Sequence, residues 1–72
     1  MTQFTLTEDY IRLDDLLKLT GRVETGGQAK RLIQEGHVTL NGEVCTLRGK
    51  KLRGGETIAV DGAAEEITVA RP

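Results

Sequence analysis

Along this chain the spacing of apolar residues runs from two, to about 3.6, and back to two. Phe4 and Leu6 alternate with Thr5 and Thr7, the pattern of a short half-buried strand, and the polar Glu8-Asp9 pair ends it. Leu13, Leu16 and Leu17 then recur at i, i+3 and i+4. They mark a short helix that should stop at Gly21, with Lys18 in its last turn where a cation suits the helix dipole. A second helix is expected from about Gly26 to Glu35. Thr25 followed three residues later by Gln28 spells a capping box, in which each side chain reaches an otherwise unpaired backbone N–H. Ala29, Leu32 and Ile33 form its apolar stripe, Lys30, Arg31 and Gln34 point away from the core, and Gly36 supplies the left-handed stop. Only about four residues, Arg22 to Thr25, join the helices, which implies an adjacent pair.

After Gly36, Val38 and Leu40 alternate with His37 and Thr39, and Asn41-Gly42 precedes Glu43-Val44. Asn-Gly between alternating runs signals a type I′ hairpin, because both residues tolerate positive φ. The stretch from Arg48 to Gly55 reads as a flexible basic loop punctuated by glycine and too polar to be core. Two further strands, Thr57 to Val60 and Glu66 to Ala70, flank an Asp61-Gly62 turn, with Ile58, Val60, Ile67 and Val69 facing inward. The expected fold is α+β: two packed short helices with a small, twisted, mainly antiparallel sheet, extended by strands at both termini. It forms one domain over residues 1–72.

Seventy-two residues, 38% of them hydrophobic, support a single thin core. One cysteine, Cys45, and one histidine, His37, provide neither a disulfide framework nor a four-ligand zinc site within the chain. A reducing cytoplasm is the expected location, with no cofactor, no membrane and no small-molecule substrate implied. No apolar run nears the roughly 20 residues needed to cross a bilayer. The net charge of −1 argues against a polyanion partner until its distribution is considered. Residues 18–53 carry eight Lys and Arg side chains against Glu24, Glu35 and Glu43, a net +5, whereas the segments before and after are each −3. A polarised chain of this kind can steer an anionic partner.

Between Arg12 and Val60 these features resemble the S-four domain, or alpha-L motif, a family named for a protein of the small ribosomal subunit. The resemblance rests on Arg12-Leu13-Asp14 opening the first helix and Thr25-Gly26-Gly27-Gln28-Ala29-Lys30 opening the second. Leu32-Ile33 with Gly36, Val38-Thr39-Leu40-Asn41-Gly42, and Gly55-Glu56-Thr57-Ile58 complete it. It covers about two thirds of the chain and is similar to the compact subgroup in which the domain is nearly the whole protein. Thr25 with glycines stands where the wider family has a serine-arginine pair, and Glu56 where Asp is usual. The resemblance implies non-enzymatic binding of structured RNA, ribosomal or transfer RNA most often, through the helix pair and hairpin. It makes ribosomal particles a further candidate partner, with ribosome assembly or RNA housekeeping as the setting.

The residues expected to face RNA are Arg12, Lys18, Arg22, Thr25, Gly26, Gly27, Gln28, Lys30, Arg31, Gln34, His37, Asn41, Arg48, Lys50, Lys51 and Arg53. Each also has a plainer reading. Gly26 and Gly27 weaken a first helical turn by about 1 kcal/mol apiece relative to alanine, so either close helix packing or approach of an RNA backbone to exposed N–H groups must retain them. The cations read singly as solvated surface and together as a phosphate path. Thr25 and Gln28 serve the cap and Asn41 its turn, while His37 reads as a surface or edge residue. Cys45 reads as a small strand side chain without catalytic partners, and Asp14 and Asp15 suit the positive end of their helix. Two aromatics, Phe4 and Tyr10, are too few for successive base stacking, so recognition should rest on shape and phosphate. A protein-interaction module built on the hairpin edge remains the alternative; a major-groove DNA reader is disfavoured by the short second helix.

Overall fold

Both helices form where the leucine and alanine-isoleucine stripes place them. In the computed structural model, which describes residues 2–62 and 66–72, the strands and helices run β1 (Thr2–Thr5), β2 (Ile11–Arg12), α1 (Leu13–Leu19), α2 (Gly26–Gln34), β3 (Val38–Leu40), β4 (Glu43–Val44), β5 (Lys51–Leu52), β6 (Thr57–Val60) and β7 (Ile67–Ala70). Each helix closes with a Schellman turn. Gly21 and Arg22 donate back to the carbonyls of Lys18 and Leu17, and Gly36 and His37 to those of Ile33 and Leu32. Both turns need a residue at positive φ, and Gly21 (76°) and Gly36 (84°) supply it.

The cap of α2 differs in one detail from a reciprocal box. Gln28 N–H donates to Thr25 Oγ1 at 3.1 Å, but Gln28 Oε1 accepts from the N–H of Glu24 at 2.7 Å rather than from that of Thr25. Thr25 itself has the extended backbone usual for an N-cap (φ −134°, ψ 161°).

Five strands form a sheet in the order β1-β7-β6-β3-β4; β1 and β7 are parallel and the other pairs antiparallel. The terminal strands therefore lie side by side, with Phe4 opposite Val69. Asn41 (φ 52°) and Gly42 (φ 87°) form the expected primed turn between β3 and β4. Asp61 and Gly62 lie in a turn as expected, and residues 63–65 lie outside the described residues.

The core joins Leu13, Leu16 and Leu17 of α1, Ala29 and Ile33 of α2, and Val38, Ile58, Ile67 and Val69 of the sheet, all fully buried. Leu52 is fully buried with them. The reading of 48–55 as a flexible loop too polar for the core is therefore corrected. Lys51-Leu52 pairs antiparallel with Ile11-Arg12 as a separate two-stranded ribbon, and period-two alternation sends the single leucine of this cationic run inward.

Candidate nucleic-acid interface

The β2–β5 ribbon sets the position of the densest group of cations. Ile11 faces Leu52 and Arg12 faces Lys51 across it. Ile11 and Leu52 point into the core, so Arg12 and Lys51 project outward, and the register continued by one position places Tyr10 and Arg53 on that same outer face. Lys51 Nζ lies 5.0 Å and Arg53 Cζ 5.8 Å from the centroid of the Tyr10 ring. Arg12 is half exposed and bonds Asp14 Oδ2 at 3.3 Å. Tyr10 was absent from the expected set; the signal for it was the matching of Tyr10-Ile11-Arg12 with Lys51-Leu52-Arg53, each an apolar residue between outward neighbours.

Backbone bonds hold this cluster in place. The N-terminus of α1 has no side-chain cap. Instead, the N–H groups of Leu13 and Asp14 donate to the carbonyls of Lys50 (2.9 Å) and Arg48 (3.1 Å), so the basic segment itself satisfies the helix end. At the other end, Glu56 folds back to accept from the N–H groups of Arg53 and Gly54, both at 2.8 Å. Burial raises the Glu56 pKa, but these N–H donors and the charge of Lys50 outweigh it and leave the carboxyl below its ordinary value. Arg71 is the second residue missing from the expected set. Its Nε donates to the Arg53 carbonyl and its terminal nitrogen to that of Asp9, both at 2.6 Å. No local pattern announces a contact spanning 62 positions.

The remaining expected residues fall at and beside α2. An added Cβ would meet nothing within 4 Å at Gly26, and only Thr25 Oγ1 at 3.8 Å at Gly27. Close helix packing is therefore not what retains these glycines. Lys30 and Gln34 are exposed on the helix surface, and Arg31 lies 3.7 Å from Glu35. Arg22, Gln28, Arg31 and His37 border one shallow depression, while Arg12, Lys18 and Tyr10 border another.

Several of these side chains have structural work. Arg22 donates to Thr2 Oγ1 at 3.1 Å, tying the interhelical turn to β1. His37 sits between Glu35 (3.6 Å) and Asp61 (3.3 Å), an acidic setting that does not favour phosphate. Asn41 Oδ1 accepts from Thr57 N–H at 2.9 Å, joining the hairpin to β6. Among the described residues no group of three or more His, Cys, Asp or Glu side chains could hold a metal ion, and no helix is long and apolar enough to cross a membrane.

Comparison with known proteins decides the family, because residues 4–69 match the S4 domain. The chain belongs to the S4 domain family. The match reaches beyond the 12–60 stretch that carries the sequence resemblance and into both terminal strands. YbcJ of Escherichia coli (strain K12) is 38% identical over 68 residues, covering 93% of this chain and 97% of YbcJ. The solution structure of YbcJ, described as revealing an αL motif involved in RNA-binding, superposes with a TM-score of 0.72 over 97% of this chain and 87% of that one. RlbA of Bacillus subtilis (strain 168), named as a probable ribosome maturation protein, is 33% identical over 81% of this chain and 82% of its own length. The small ribosomal subunit protein uS4 of Roseiflexus sp. (strain RS-1) is 41% identical over 49 residues, which cover 68% of this chain and 24% of that protein. This S4 domain thus has relatives of its own size and relatives in which it is one part of a larger chain.

Proposed function

We propose that this S4 domain binds structured RNA without catalysis, through the cations of the β2–β5 ribbon together with the exposed surface at the start of α2. The observation that carries the proposal is the mounting of Lys50, Lys51 and Arg53. Their backbone is bonded to the N-terminus of α1 and closed by Glu56, so the cations are displayed on a fixed frame. A fixed frame spares the ordering cost of binding and favours a ligand whose phosphates are themselves fixed, as in a helical or folded RNA. The likeness to YbcJ supports RNA binding, and that to RlbA and uS4 favours ribosomal RNA and ribosome assembly over transfer RNA as the setting.

A second reading has one observation in its favour. Val44 and Leu47, 61% and 65% exposed, lie on and beside β4 at the edge of the sheet, a place where another protein could pair. Anisotropy titrations with a labelled RNA hairpin, a poly-pyrimidine strand and duplex DNA separate the cases. Tightest binding to the hairpin is expected. Equal affinity for all three reduces the reading to unspecific charge attraction, and no binding to any of them leaves the protein-interaction reading.

A further inference from the structure

Phosphate binding accounts for the cations of the ribbon but not for the aromatic ring among them. The chain has two aromatic residues. Phe4 packs against the core, whereas Tyr10 is 40% exposed. The backbone that carries the ring is held: the neighbouring Ile11 is buried, and Arg71 bonds the carbonyl of Asp9 on one side and that of Arg53 on the other. Gly54 admits this brace, since a Cβ there would come within 3.0 Å of Arg71 Cγ. One side chain therefore ties the segment that carries Tyr10 to the segment that carries Arg53, beyond the last strand pair of the ribbon.

Beside the ring opens the depression that Tyr10 shares with Arg12, Lys18 and the 70% exposed Leu19. Its rim also carries Glu8, Asp9 and Asp15. These three carboxylates against Arg12 and Lys18 make the depression less favourable to phosphate than the ribbon, while leaving it open to an uncharged planar group. Resting on the RNA-binding reading above, we infer that Tyr10 is a stacking platform for one unpaired base of the bound RNA, with Lys51 and Arg53 taking the adjoining phosphates and Arg71 acting as a positioning residue. In the free protein the two cations lie over the ring, an exposed cation–π contact weak enough to be exchanged for phosphate when the base arrives. A single platform suits a bulged or loop nucleotide flanked by duplex; an extended single strand would call for successive rings.

The chain offers its own reporter, because Tyr10 is its one tyrosine and it contains no tryptophan. The full chain is titrated at one salt concentration with two RNA hairpins identical except for a single bulged adenine, following tyrosine emission and anisotropy together. The bulged hairpin is expected to quench Tyr10 and to bind about tenfold more tightly, the contribution of one stacked base. Tyr10→Phe retains that preference, followed by anisotropy. Tyr10→Ala is expected to bring the ratio of the two affinities to about one, whatever it does to the plain hairpin, and Arg71→Ala to lower that ratio with the fold intact by circular dichroism. If both hairpins bind alike with Tyr10 emission unchanged, or if Tyr10→Ala keeps the preference, the platform is refuted and RNA binding stands. If neither hairpin binds, the function falls and this inference with it.

Discussion

Replacing Gly27 with alanine separates folding from binding at the start of α2. The position is helical, and the added methyl meets only Thr25 Oγ1 at 3.8 Å, an ordinary contact. Alanine restricts the unfolded chain more than glycine does, so the substitution should stabilise the domain by about 0.4–1 kcal/mol. For a domain of this size that raises Tm by about 2–8 °C, measurable by far-UV circular dichroism. Thr25 takes the N–H of Gln28, which leaves those of Gly26 and Gly27 at an exposed helix start. A methyl there holds a phosphate off, and RNA affinity should fall several-fold at constant salt as stability rises. A lower Tm would refute the claim that the space around Gly27 is open. A higher Tm with unchanged affinity would show that RNA does not approach this end of the helix.

Two further substitutions test the frame that displays the cations. Leu52→Ala removes the one fully buried side chain of the basic segment and should cost about 2–5 kcal/mol in urea unfolding; a loss of under about 1 kcal/mol would mean that the ribbon is not part of the core. Glu56→Gln should cost about 1 kcal/mol at neutral pH, since a charged acceptor of two N–H groups becomes a neutral one. Because the folded Glu56 pKa lies below its ordinary 4.5, its contribution is complete above that value and is lost as pH falls through the folded pKa. The variant should therefore lose less stability than wild type on acidification, and parallel acid limbs would contradict the role given to this carboxylate.

Elements governed by neighbours in the chain were legible in the sequence. The helix stripes, the glycine stops, the Thr25 cap and the Asn41-Gly42 turn each depend on residues within one turn of one another, and each formed where its pattern stood. The basic segment reads as loop in the sequence because two alternating positions, Lys51 and Leu52, are too few to outweigh six polar or glycine neighbours until Ile11-Arg12 is known to pair with them. The RNA-facing candidates were found by residue type, which does not separate a displayed cation from one that braces the fold. Arg22 turned toward Thr2 and Asn41 toward Thr57 because those partners lie 20 and 16 residues away. The places of Tyr10 and Arg71 in the site are not legible for the same reason, since the ribbon and the C-terminal brace exist only once the chain has folded.

The most direct test of the central claim is the salt dependence of RNA-hairpin binding by wild type and by a variant with Lys30, Arg31, Lys50 and Lys51 all changed to alanine. The account predicts steep weakening of the wild type with salt, and for the folded variant both weaker binding and a slope shallower by about one for each lost cation that meets a phosphate. Equal affinities and equal slopes would contradict it, because the cations on the ribbon and on α2 would then not be where the RNA lies.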